Sequence, residues 1–169
     1  MAQVSTVFRG KLLTVQKKKV KLPNGFCAEL EIVKHPGAVL VIPFLTSEKV
    51  IILKQFRPVI NSYLYELPAG TFEKGETPLN CAKREIIEEI GFRATSYKKL
   101  GKIYPVPGYS TEEILIFKAT GLVKDKQAHQ KDEIIKSLVV SKAKIKQLFK
   151  SGKIVDAKTI CALSFCGWL

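Results

Sequence analysis

Two apolar, β-branched-rich runs dominate the pattern of the first half of the chain: Ala38 to Leu45 and Val50 to Phe56. Neither alternates with polar residues, so both predict buried strands. Thr46-Ser47-Glu48-Lys49 supplies the turn between them. Upstream, Lys11 to Leu22 and Phe26 to Val33 read as strands flanking Pro23-Asn24-Gly25, a turn signal because Asn and Gly tolerate positive φ. This pair forms an antiparallel hairpin outside the main core. His35-Pro36-Gly37 then breaks the chain, so residues 1–35 are expected as an N-terminal extension and 36–169 as the main domain. Tyr63 to Leu67 predicts a short strand running into Pro68-Ala69-Gly70.

A helix follows. Thr77 suits its N-cap, Pro78 its first turn and Gly91 its end. Leu79, Ala82, Ile86 and Ile90 recur at helical spacing and predict the face that meets a core. Strands are expected at Tyr97 to Ile103, Glu113 to Ala119 and Glu133 to Val140. Ser141 can cap a helix over Lys142 to Lys150, and Asp156 a third ending near Trp168. Strands with a few interspersed helices predict an α+β or α/β sandwich around a mixed sheet, not a regularly alternating doubly wound fold.

Composition changes this picture little. An apolar share of 46% is ordinary for a packed domain. No run reaches the roughly 18–20 apolar residues of a membrane span, and the first residues lack the pattern of a signal peptide. Cys27, Cys81, Cys161 and Cys166 are scattered, which predicts buried reduced thiols and a cytoplasmic setting. The net charge of +13 is unusual, and it comes from lysine: only four of the 28 basic residues are arginine. Such charge can serve a nucleic-acid partner, steer small polyanions, or merely solvate the surface. Dispersed lysines favour the last reading, and Lys17-Lys18-Lys19 lacks interleaved aromatics.

The chemistry concentrates between Gly70 and Phe92. Glu85, Glu88 and Glu89 are three and four residues apart, which stacks three carboxylates on one helical face. Their mutual repulsion calls for a positive partner. A divalent cation that prefers oxygen ligands, Mg²⁺ or Mn²⁺, would supply it, and such ions also bind phosphates. Arg84, adjacent to one glutamate and four residues before another, can orient them. A plain surface helix rich in glutamate has the same spacing.

The whole stretch resembles the Nudix box, G-x5-E-x7-R-E-U-x-E-E-x-G-U, with U a bulky apolar residue. Gly70, Glu76, Arg84, Glu85, Ile86, Glu88, Glu89, Gly91 and Phe92 fall on its nine fixed positions. The resemblance implies an α/β/α sandwich and a metal-dependent pyrophosphohydrolase. It further implies Glu85, Glu88 and Glu89 as metal ligands oriented by Arg84, with the Ala69 carbonyl as another ligand. Gly70 and Gly75 would let the backbone turn into the helix.

Beyond the box, Gln55-Phe56-Arg57 and Glu66-Leu67-Pro68-Ala69-Gly70 resemble the branch containing ADP-ribose pyrophosphatases and nucleoside diphosphate sugar hydrolases. So does Pro107-Gly108, about fifteen residues past the box, with Glu112 after it. Gly152 to Thr159 resembles the start of that branch's last helix. The implied roles are phosphate contact by Arg57, support of metal or substrate by Glu66 and Glu112, and substrate binding around Pro107 and Gly108. The branch also implies a homodimer through the N-terminal extension, with Phe8 or Phe26 either stacking on the base or packing in the hairpin core. Its catalytic base lies on a late loop, here Gln127 to Glu133. This chain departs from the branch there, carrying Lys131 or Gln130 where a glutamate is usual, so Glu133 is the expected base and Asp132 the alternative. His129 reads as a surface residue. Other substrates stay open, a dinucleotide or an RNA 5′ end among them, as does a binding module without catalysis. The latter generally loses box glutamates, and here all are kept.

Overall fold

In the computed structural model, which describes residues 4–126 and 134–169, the two apolar runs become central strands of a mixed sheet. The strands are β1 (Val4–Arg9), β2 (Thr14–Lys21), β3 (Cys27–Lys34), β4 (Ala38–Thr46), β5 (Lys49–Arg57), β6 (Ser62–Glu66), β7 (Ala69–Thr71), β8 (Phe92–Ile103), β9 (Ile114–Lys124) and β10 (Ile135–Ser141). The helices are α1 (Pro78–Ile90), α2 (Lys142–Lys150) and α3 (Ala157–Phe165). The chain divides into two units: one runs up to Gly37 and adds Tyr104–Glu113, and the other comprises Ala38–Ile103 and the chain from Ile114 onward.

The larger unit holds a seven-stranded sheet along the path β10-β5-β4-β9-β8, with β6 on β5 and β7 on β4. The β4–β9 pair is parallel and the remaining pairs are antiparallel. Period-two geometry divides the apolar runs between two faces. Leu40, Ile42 and Phe44 meet Ile145 and Leu148 of α2, Ala162 and Leu163 of α3, and Trp168. Val39 and Val41 point the other way, toward Cys81, Ala82, Ile86 and Ile90 of α1. Continuous apolar sequence therefore means a sheet covered on both sides, an α/β/α sandwich of the α+β class.

The helix ends follow the capping residues. Thr77 accepts a bond from the Asn80 N–H, and Gly91 closes α1 at φ 69°. Ser141 and Asp156 accept from Lys144 and Thr159. α3 stops at Phe165, before Trp168, because Gly167 turns left-handed at φ 70°. Leu79 is 40% exposed, contrary to expectation, and Cys81 takes the core place beside Ala82. The strands β8 and β9 are longer than the pattern indicates, and three-residue β7 is an addition.

The smaller unit is not a simple hairpin. β1 joins the predicted pair, giving an antiparallel sheet in the order β1-β2-β3. Ser5, Lys17 and Glu31 align on one face, and Lys17 lies between Glu29 and Glu31 at 3.8 and 3.7 Å. Val4, Lys18 and Leu30 align on the other. Phe8 and Phe26 are exposed, so neither is hairpin core. The Tyr104–Glu113 segment runs along the end of β3, where the Val33 N–H donates to Tyr109 and the Thr111 N–H to Val33. All four cysteines are free; Cys81 alone is fully buried, Cys27 is exposed and the other two are half-buried. Among the described residues no helix is long and apolar enough to cross a membrane.

Candidate active site

The stretch from Gly70 to Phe92 runs from β7 through a loop into α1 and out to β8. Gly75, at φ 80°, supplies the left-handed residue of that loop. Glu76 closes it by accepting from the Glu73 N–H at 3.0 Å. Along α1, Ala82, Ile86 and Ile90 form the apolar row. One position to its side runs a second row, Cys81, Glu85 and Glu89, all buried. Two carboxylates are thus carried under the protein surface by a helix anchored through its apolar neighbours.

Arg84 organises the polar part. Its Nε and Nη2 donate to the two oxygens of Glu76, each at 2.9 Å, a bidentate pair. Its Nη1 donates to Glu85 at 2.6 Å and to Glu88 at 3.2 Å, and Nη2 reaches the Thr71 carbonyl at 3.2 Å. One guanidinium thereby spans the loop and three carboxylates. It holds the Glu76 carboxyl at about 2, well below its ordinary range, while Glu76 and Glu85 raise the Arg84 pKa. Burial, reinforced by Glu85 and Glu76, pushes the neighbouring Cys81 thiol up to about 12, so it is protonated at neutral pH and unsuited to nucleophilic work.

Gly70 has a different reason from the expected turn. Its φ is not left-handed. A methyl group there would overlap the Glu85 carboxylate instead, so the missing side chain makes room for a glutamate. Next to it, the Ala69 N–H donates to Glu89 at 3.1 Å. Both buried glutamates of α1 therefore close on the Ala69-Gly70 backbone.

Three carboxylates within two turns and an adjacent backbone segment give an all-oxygen donor set, which suits a hard divalent cation. Gly70 leaves the Glu85 carboxylate its place, and Arg84 shows that a positive group is accommodated between Glu85 and Glu88. Among the described residues no three acidic, histidine or cysteine side chains are already closed into a coordination shell. The arginine holds Glu85 and Glu88, and the Ala69 amide engages Glu89.

A second polar group lies at the junction of β5, β6 and α3. Arg57 donates from Nε and Nη2 to Glu66 at 2.7 and 2.6 Å. The Glu66 side chain is 1% exposed, and Lys158 donates to it as well. Burial raises the Glu66 pKa, but the bonds and charges of Arg57 and Lys158 outweigh it and hold the carboxyl ionised. Glu66 raises the Arg57 pKa in return, against the effect of burial. Sequence reasoning singled out Arg57 and Glu66 but missed Lys158. Bonded to a residue 92 positions away, it leaves no local signal.

The site residues named beyond the box belong to other stretches of the chain. Pro107, Gly108 and Glu112 belong to the smaller unit. There the Glu112 carboxylate stands 3.9 Å from His35 Nε2 and its N–H donates to Ser110. Glu133 and Asp132, with His129, lie outside the described residues.

The geometry defines a class first: an α+β sandwich whose glycine loop and acidic helix carry a carboxylate site. Comparison with known proteins then places the chain within that class. A match to the NUDIX domain spans residues 34–163. The chain is 37% identical over 161 residues to the ADP-ribose pyrophosphatase of Bacillus subtilis, covering 94% of this chain and 87% of that protein. It is 34% identical, with the same coverage, to a methanol dehydrogenase activator of Bacillus methanolicus. A solved structure described as an ADP compounds hydrolase superposes with a TM-score of 0.82 at 24% identity, covering 96% of this chain and 89% of that one, and so shares the fold. The chain belongs to the Nudix family.

Proposed function

We propose that this chain hydrolyses the diphosphate of ADP-ribose or a related nucleoside diphosphate sugar, giving a nucleoside monophosphate and a sugar phosphate. The observation that carries the reading is the row of Glu85 and Glu89 closing on Ala69-Gly70 while Arg84 holds Glu85 and Glu88. It is supported by 37% identity to an ADP-ribose pyrophosphatase across nearly the whole chain.

Glu85, Glu88, Glu89 and the Ala69 carbonyl would hold Mg²⁺, or Mn²⁺ in its place. When bound, the cation neutralises phosphate oxygens and lowers the pKa of water. Arg84 keeps the carboxylates oriented and offsets their repulsion. The donors of Arg57 left over from Glu66 face the phosphates. Glu112 and the Pro107-Gly108 turn contribute to the substrate pocket. Glu133, with Asp132 as the alternative, takes the proton of the attacking water.

The same reading includes a homodimer formed through the β1-β2-β3 sheet, supported by exposed Val4, Phe8, Phe26 and Leu30 on that unit. It also places the protein in the cytoplasm, which suits four free cysteines.

A substrate panel with Mg²⁺ tests the reading: ADP-ribose, other nucleoside diphosphate sugars, a dinucleotide and a capped RNA, with products resolved by chromatography. ADP-ribose or a nucleotide sugar should be turned over at least about tenfold more efficiently than the rest. Preference for capped RNA or a dinucleotide would replace the substrate assignment, and no turnover of any diphosphate would remove the enzyme assignment.

A further inference from the structure

Glu66 is a fully buried carboxylate that already has a complete partner. The fork of Arg57 takes both of its oxygens, at 2.7 and 2.6 Å. A third charged donor is therefore not needed to satisfy it. Yet Lys158 Nζ also donates to Oε2, the oxygen that receives Arg57 Nη2. The lysine is itself held from behind: its Nζ donates to Asp156 Oδ1 at 2.8 Å. The other oxygen of Asp156 accepts the Thr159 N–H at 3.1 Å and caps α3. Thr159, 1% exposed, accepts the Leu67 N–H at 2.9 Å.

The first residues of α3 thus grip two consecutive residues of the β6 end, Glu66 through a charge and Leu67 through its backbone. Two residues further on, α1 grips the same strand connection, where Glu89 accepts the Ala69 N–H. The segment from Glu66 to Gly70 is pinned by helices on both sides of the sheet.

We propose that Lys158 is a positioning residue: anchored by Asp156, it fixes the Glu66 carboxylate and, through it, the orientation in which Arg57 presents its remaining N–H groups to the substrate diphosphate. This rests on the functional reading above for the diphosphate, but not for the positioning itself. A flexible arginine must be ordered when substrate arrives, and that ordering weakens binding; one already locked by a fixed carboxylate avoids the loss. Lys158 also shares the negative charge of Glu66 with Arg57, so the arginine is less fully neutralised by its partner. The effect belongs in KM, because the fork meets substrate before and during reaction alike.

The experiment compares wild type with Lys158→Met, which keeps the length of the side chain and removes its charge, and Lys158→Arg, which restores the charge. The first readout is the arginine Nε–H resonance by ¹H–¹⁵N NMR. With four arginines in the chain, Arg57→Lys assigns the signal. In Lys158→Met the solvent exchange of the Arg57 Nε–H should rise at least about tenfold, and Lys158→Arg should recover most of the protection. The second readout is kinetic: KM for the best diphosphate should rise about tenfold, with kcat within about threefold of wild type. Thermal melting of each variant separates positioning from folding. A lower Tm with unchanged Arg57 exchange and unchanged KM would overturn the proposal and leave Lys158 a structural residue. A wild type inactive on every diphosphate would defeat the functional reading alone, since the NMR readout needs no turnover.

Discussion

At the scale of single residues, Gly70 and Glu85 share one place. Gly70→Ala puts a methyl where the buried Glu85 carboxylate lies, so the end of that side chain must move away from its place. The expected cost is about 1–3 kcal/mol of stability, read by denaturant unfolding, together with loss of activity. Glu89→Gln keeps shape and an acceptor for the Ala69 N–H, so the melting curve should stay near wild type while kcat falls by about a hundredfold or more. An unchanged rate would mean the site is misplaced. Glu76 permits a prediction with pH. Its pKa is lowered from 4.5 to about 2, so the ionised form favours the fold. That contribution is complete above about pH 4.5 and is lost as pH falls toward 2. Glu76→Gln should therefore be less stable at pH 7 by about 1–2 kcal/mol, discounted for partial exposure, and the gap to wild type should close between those pH values. A gap that persists at pH 2 would point to packing instead. The glutamate row and Arg84 were legible because helical spacing alone brings them together. The role of Gly70 and the place of Lys158 were not, because each depends on a partner that only the folded chain supplies.

At the scale of elements, punctuation residues carry the information. Thr77, Pro78 and Gly91 bound α1 as their chemistry dictates, and Ser141 and Asp156 start the other helices. Thr77→Ala should cost about 1 kcal/mol and lower the Tm by about 2–4 °C. Because α1 bears the glutamates, the activity of the variant should fall off at correspondingly lower temperature, which an activity–temperature profile checks. The apolar runs gave β4 and β5 for the same reason: buried strands need no alternation. β1 escaped notice because its alternation is broken. A register shift between Thr6 and Phe8 puts an extra residue into the strand, and its turn to β2 runs through Gly10 to Leu13, closed by one backbone bond from the Gly10 N–H. β7 is three residues long, too short for any periodicity, and exists because Ala38 to Leu40 offer a pairing edge.

At the scale of the whole molecule, the three-stranded sheet raises the question of what covers it. The larger unit has two apolar clusters, each enclosed between sheet and helices. Among the described residues the smaller unit has no helix, and its strands keep apolar residues exposed: Val4 is 48% exposed, Leu30 39% and Phe8 58%. Cross-strand register puts Val4, Lys18 and Leu30 in one line on one face, while the other face carries the Lys17–Glu29–Glu31 ion pairs. Phe8, opposite Val15, belongs to the ion-paired face, whereas Val4 and Leu30 flank a single lysine on the other, the pattern of a surface that meets a partner. A second copy provides a matching surface by symmetry, since an isologous contact sets the same patch against itself. Light scattering should then give twice the 18.9 kDa of one chain at micromolar concentration. Leu30→Asp replaces one of the two apolar residues of that line, at its β3 end, with a charge that association would bury, and should shift the protein to monomer. Lys17→Ala, on the ion-paired face, should leave the dimer intact. A monomeric wild type, or a Leu30→Asp variant as dimeric as its parent, would remove the sheet from the interface and leave its apolar face to a different occupant.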